Sequence, residues 1–169
     1  MKRIIILFGF VITISSIMTM VCSCNSNSYQ KEENEKTDIQ NNLINNDVKK
    51  DYTSELQQLI KETNQLYPYD LGNGLIMTSL VDEGEYVTYY YKINLDDVEE
   101  INEDELKQSK IDLQHLLINQ SKNDTGNRDI LLLFYKNNKG LKYHYYNNTI
   151  TYDIIFSHSE LGDILNQSE

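Results

Sequence analysis

Apolar residues recur at helical spacing along two long stretches of the chain and at strand spacing, or as unbroken runs, along several shorter ones. Over Thr53–Tyr67, Leu56, Leu59, Ile60 and Leu66 share one helical face. Ser54 with Gln57 reads as a capping box, and Pro68 marks the exit. A second helix is expected from Asn102 to about Gln120, capped by Asn102 with Glu105 and burying Leu106, Leu113, Leu116 and Leu117. A short last helix runs through Leu165, capped by Ser157 or Ser159.

Strand signals fill the gaps. The turn Asp70–Gly74 leads into Leu75–Val81, and Asp82-Glu83-Gly84-Glu85 turns that strand back on Tyr86–Ile93. Tyr86–Ile93 alternates. Val87, Tyr89, Tyr91 and Ile93 form the aliphatic-bearing and therefore inward set, which leaves Tyr86 and Tyr90 on the other face. After a polar loop at Ser121–Arg128, the apolar run Asp129–Tyr135 is expected to be a central strand. Leu141–Tyr146 and Thr149–Phe156 follow as further strands, separated by turns at Asn137–Gly140 and Asn147-Asn148.

The expected fold class is α+β: one antiparallel sheet with helices packed on one face, in the order α-β-β-α-β-β(-β) with a short C-terminal helix. Glu55–Ile60 and Asp112–Leu117 match in pattern, and each is followed by an apolar segment, a glycine turn (Gly84, Gly140) and a tyrosine-rich strand. The two halves read as an α-β-β pseudo-repeat.

The N-terminus changes the picture. Lys2 and Arg3 precede an apolar run from Ile4, too short at Ile4–Ile12 to cross a bilayer, which takes about 20 helical residues. The run ends in Val21-Cys22-Ser23-Cys24. This stretch resembles the lipobox of bacterial membrane lipoproteins, with an aliphatic residue at −3, a small residue at −1 and then the lipidated cysteine; Cys22 at −2 departs from the pattern. The resemblance covers residues 1–24 only. It implies that residues 1–23 are a signal peptide and that Cys24 becomes a diacylated N-terminus, holding the chain on a membrane outside the cytoplasm. Two acyl chains suffice for stable anchoring where one does not.

Residues 24–50 then form the lipidated cysteine and a polar spacer, too poor in apolar residues to offset chain entropy. As a random coil the spacer would reach roughly 25–30 Å. Its Lys31-Glu32-Glu33 resembles the acidic export signals of surface lipoproteins, which points to the outer membrane or cell surface. Residues 51–169 are a normal length for one domain.

Net charge is −11, and becomes −13 once Lys2 and Arg3 leave with the leader. That excludes nucleic acid as a partner, since phosphates demand Lys and Arg. Both cysteines lie in the first 24 residues, so the domain has neither a disulfide nor a thiolate metal site. Seven carboxylates between Asp96 and Glu105 lack the spacing of a calcium loop and suit a helix N-terminus. His115, His144 and His158 form no HxxxH or HxH pair. No catalytic residue, metal site or cofactor is expected.

The tyrosines stand out: 13 of them, with no tryptophan and 4 phenylalanines, concentrated at 86–91 and 143–152. Tyrosine combines large contact area with a polar tip and is favoured at binding surfaces. Tyr86, Tyr90, Tyr143 and Tyr145 are the candidate binding face. The expectation is a non-enzymatic, lipid-anchored envelope protein that binds a protein partner through this face. The alternatives are an envelope hydrolase using scattered acids and histidines, and a purely structural lipoprotein.

Overall fold

The computed structural model describes residues 52–95 and 101–169, so the leader, Cys24, the spacer and Asp96–Glu100 lie outside the described residues. Along the chain come α1 (Tyr52–Asn64), β1 (Tyr69–Gly72), β2 (Leu75–Asp82), β3 (Tyr86–Ile93), α2 (Glu103–Asn123), α3 (Thr125–Lys136), β4 (Gly140–Tyr146), β5 (Thr151–Phe156) and α4 (His158–Gln167). The class is α+β, as expected, with one five-stranded sheet in the order β1-β2-β3-β4-β5.

Three local expectations hold in detail. Asn102 Oδ1 accepts from the amides of Asp104 and Glu105, while the Glu105 carboxylate accepts from the Asn102 amide at 3.2 Å. Of the two caps expected for the last helix, Ser157 is the one used, and it makes a reciprocal box with Glu160 at the start of α4. Gly84 takes the positive φ, 86°, that the β2–β3 turn requires.

Other elements differ. Ser54 lies inside α1, which begins at Tyr52, so it does not cap the helix. Part of the expected Asp70–Gly74 turn is strand β1, joined to β2 by the two-residue turn Asn73-Gly74 with φ of 51° and 84°. That pair of positive angles is the hairpin geometry Asn-Gly favours.

The expected central strand Asp129–Tyr135 is helical, the core of α3. An apolar run of seven residues does not distinguish a buried strand from a helix by periodicity. Leu131-Leu132-Leu133 carries no β-branching, and Asp124 supplies an N-cap by accepting from the Gly126 amide at 2.8 Å. With the first turn added, the segment buries Asn127, Ile130, Leu131 and Phe134, the i, i+3, i+4, i+7 set of a helix. The same aspartate, in extended backbone, ends α2; the expected loop Ser121–Arg128 shrinks to this one hinge residue.

Because α3 is a helix, β3 and β4 are joined by a helical crossover and pair in parallel, so the sheet is mixed rather than wholly antiparallel. The α-β-β pseudo-repeat is overturned for the same reason: the second unit is α-α-β-β.

Alternation sets the two faces. Val87, Tyr89, Tyr91 and Ile93 point inward as expected, joined by Leu75, Met77 and Leu80 from β2 and by Leu141, Tyr143 and Tyr145 from β4. A bulge at Thr78 keeps Leu80 on the inner face. The helices bury Leu56, Leu113, Leu117, Phe134, Leu161 and Ile164 into the same core. Across it run stacked rings on registered neighbours: Tyr89–Tyr143 at 5.7 Å, Tyr91–Tyr145 at 5.0 Å and Tyr145–Tyr152 at 5.0 Å between centroids, all within 17° of parallel.

The helical reading of α3 predicts unequal costs along its leucines. Leu131→Ala should lose about 2–5 kcal/mol, as for a fully buried leucine, and Leu132→Ala distinctly less. Urea denaturation decides it. A strand would give the reverse order, with Leu132 as costly as Ile130 and Phe134.

Candidate binding face

The other face of the sheet carries no described helix. Its residues come from the alternate positions of each strand: Thr88, Tyr90 and Lys92 of β3 lie beside Lys142, His144 and Tyr146 of β4. His144 and Lys142 in turn lie beside Asp153 and Ile155 of β5. Tyr86 begins the β3 row, with its ring against Gly140. A Cβ built on Gly140 would stand 2.8 Å from that ring and closer still to the Phe156 carbonyl, so only glycine fits.

A connected set of polar contacts crosses this face. Glu83, in the β2–β3 turn, accepts from Thr88 Oγ1 at 2.7 Å, from the Tyr90 hydroxyl, and from Lys142 Nζ at 2.5 Å. Thr88 is wholly buried beneath these side chains although it faces outward. The Tyr90 ring leans on His144, with centroids 4.9 Å apart. His144 Nδ1 is 2.6 Å from Asp153 Oδ1, and its ring stacks at 5.6 Å on Tyr146. The Tyr146 hydroxyl is 3.3 Å from Thr78 Oγ1.

These contacts set the ionisation of two groups. Hydrogen bonds from Lys142 and then Tyr90 hold the Glu83 carboxyl down at about 2. The reciprocal bond to Glu83, with some burial, pushes the Tyr90 phenol up to about 12. The face is therefore pinned by a carboxylate that stays charged across the physiological range.

Of the four tyrosines expected on the binding face, two are there. Tyr86 and Tyr90 are half-exposed on the outer face. Tyr143 and Tyr145 are not: they are 1% and 8% exposed and stand in the core. The parallel β3–β4 register pairs Tyr143 with Tyr89 and Tyr145 with Tyr91, so each takes the face of its inward neighbour. The outward residues of β4 are the even-numbered Lys142, His144 and Tyr146. His144 was legible as a strand histidine; its carboxylate partner, nine residues on, follows from the β4–β5 hairpin register.

The remaining histidines stand apart from this face. His115 is exposed on α2, and His158 stacks on Tyr135 at 4.3 Å while its Nε2 is 3.0 Å from the Tyr135 carbonyl. Glu103, Asp104 and Glu105 occupy the first turn of α2, with Glu105 in the capping box; the other acids of that run lie outside the described residues. Among the described residues, no group of three or more His, Cys, Asp or Glu side chains is placed to hold a metal, and no helix is long and apolar enough to cross a membrane.

No family model matches the chain, and no curated protein matches it. Among solved structures it is similar to a proposed secreted protein of Pseudomonas aeruginosa, at 12% identity and a TM-score of 0.41, over 65% of this chain and 92% of that one. That overlap is too loose to carry fold or function from one protein to the other.

The pinned carboxylate has a definite signature. Glu83 has a folded-state value near 2 against an ordinary 4.5, so its contribution is present above about pH 4.5 and lost as pH falls toward 2. Glu83→Gln should cost about 1–2 kcal/mol at pH 7, a charged hydrogen-bond set discounted for partial exposure. The deficit should shrink on acidification. Denaturant melts of both proteins at pH 7 and pH 3 measure it, and an unchanged difference would contradict the assignment.

Proposed function

We propose that the protein is a lipid-anchored envelope protein, tethered through Cys24, whose outer sheet face binds a protein partner without catalysing a reaction. One observation carries this reading. The sheet has its described helices on one side and presents on the other a half-exposed row of Tyr86, Tyr90, His144 and Tyr146. Aromatic side chains on a rigid sheet offer contact area at little entropic cost, and polar tips that can be shared with a partner. Glu83, Lys142 and Asp153 hold those rings in place before any partner arrives, which reduces the ordering cost of association. The lipobox-like stretch supplies the tether and the polar spacer its reach.

The His144–Asp153 pair favours a second reading, an envelope hydrolase, because a carboxylate-oriented imidazole is the base of many hydrolytic sites. A nucleophilic mechanism needs a hydroxyl at the histidine. Among the described residues, His144 hydrogen-bonds to no serine or threonine, and the neighbouring phenols are engaged by Glu83 and Thr78. The binding reading accounts for more of the face.

Two measurements test the proposal. A photo-crosslinking amino acid at Tyr90 or Tyr146 should yield a discrete adduct in the native envelope, and one at exposed His115 on α2 should not. Adducts of equal yield from both sides, or from His115 alone, would defeat the assignment of the face. Feeding cells a fatty-acid analogue should label wild type and Cys22→Ser but leave Cys24→Ala unlabelled; label retained on Cys24→Ala would remove the anchor.

A further inference from the structure

The two edges of the sheet are finished differently. At one, β1 is four residues long, ends in glycine and breaks register with β2 between Asp70 and Gly72. A short, bulged edge of that kind is a poor template for another strand. At the other, β5 runs Thr-Tyr-Asp-Ile-Ile-Phe in unbroken register with β4, with no proline, lysine or glycine. Its composition favours a strand, and nothing in it blunts the edge.

The hairpin fixes which backbone groups β5 leaves over. The Asn147 amide donates to the Ile150 carbonyl at 3.0 Å. Bonded and non-bonded pairs alternate from there, which makes Tyr145–Tyr152 and Tyr143–Ile154 the hydrogen-bonded pairs of the ladder. The amides and carbonyls of Thr151, Asp153 and Ile155 therefore point away from β4, with no described strand beyond them.

Side chains stop short at the same edge. Stacked rings run outward along one row, Tyr91 to Tyr145 to Tyr152, each step 5.0 Å between centroids. Tyr152 ends the row half-exposed, stacked on no further described ring. On the outer face Asp153 Oδ1 holds His144, and its side chain is 36% exposed with the second oxygen left over.

We propose that the free edge of β5 pairs antiparallel with the β5 of a second copy of this chain, about a two-fold axis at Tyr152. Self-complementarity selects both the occupant and the register. An axis at Asp153 would set two carboxylates directly opposite each other, and one at Ile154 would set each carboxylate against Ile155. An axis nearer either end would leave part of the strand unpaired. The axis at Tyr152 avoids all three. It puts Tyr152 beside the partner's Tyr152 in a non-hydrogen-bonded pair, where side chains are closest, so the row of rings continues into the second copy. Thr151 falls opposite the partner's Asp153, and its hydroxyl can donate to the oxygen that His144 leaves over. The outward backbone groups of the same two residues complete the ladder. On the inner side, half-buried Ile150 meets the partner's Ile154. Each contact occurs twice, and two five-stranded sheets become one. The interface uses the edge of the sheet and does not depend on the outer face binding a protein partner.

The test takes the processed chain with Cys24→Ser, which excludes a disulfide between copies, through sedimentation velocity and residue-resolved amide exchange. A reversible dimer is expected, with a dissociation constant of about 10–100 µM, in keeping with a small interface. The Thr151 and Asp153 amides should exchange at least about tenfold more slowly well above that concentration than below it. Those of Tyr152 and Ile154, bonded to β4, should be slow at both. Tyr152→Leu should weaken the dimer about fivefold through loss of the ring stack. Thr151→Pro removes only an outward amide, at the first position of the strand, and should give a monomer whose ladder amides stay protected. The proposal fails if the chain is monomeric up to about 1 mM. It fails equally if a dimer forms with Thr151 and Asp153 exchanging as fast as in the monomer, if assembly grows beyond the dimer, or if Tyr152→Leu dimerises as tightly as wild type.

Discussion

The parallel pairing of β3 with β4 is the constraint on which both faces depend. Two tyrosine-rich strands meet there in a register that sets Tyr89 beside Tyr143 and Tyr91 beside Tyr145. Those four rings stack into the core, and in the same step Tyr90 and His144 are aligned on the outside. A slip of one residue would carry every side chain of β4 to the wrong face, burying Lys142 and His144 and exposing two tyrosines. The cost of those exchanges is what makes the register unique. The helical crossover through α2 and α3 supplies the chain reversal that parallel strands require, and Asp124 makes it compact by ending one helix and capping the next.

The register also couples the sheet to its turns. Glu83 sits in the β2–β3 turn yet gathers Thr88, Tyr90 and Lys142 from two strands. Nearby, Lys139 at the entrance to β4 bonds Asp82 at 2.7 Å, fastening the α3–β4 turn to the β2–β3 turn. Gly140 lies under the Tyr86 ring at the same end. Two carboxylates, a glycine and two lysines, none of them in the aromatic core, thus hold the outer aromatic row in one arrangement. What the helices do for the inner face, this polar set does for the outer one.

How much could be read from the sequence follows from which interactions are local. Asn102 with Glu105 was legible because a capping box closes within four residues, and Ser157 was one of the two caps expected for the last helix. The inward set of β3 was legible because alternation is a property of one strand. Asp129–Tyr135 was not, since seven consecutive apolar residues satisfy a helix and a buried strand equally, and the deciding N-cap lies five residues upstream at Asp124. The placement of Tyr143 and Tyr145 failed for another reason: Leu141 shares their side of β4, so alternation sends all three into the core, and the outward assignment followed tyrosine's preference for binding surfaces instead. Tyr86 and Tyr90 were found correctly on the outer face. His144–Asp153 was missed because its spacing of nine is fixed by the β4–β5 hairpin, and no short motif announces it.

The central claim is that one register sends Tyr143 and Tyr145 into the core and Tyr90 out of it. Tyrosine-selective carbon-13 NMR, followed residue by residue through an alkaline titration, reads that division directly. Tyr90 should ionise near 12, held up by Glu83, while Tyr89, Tyr91, Tyr143 and Tyr145 remain protonated for as long as the protein stays folded. Ionisation of Tyr143 or Tyr145 in the folded protein before Tyr90 would place β4 with its opposite face inward and contradict the account.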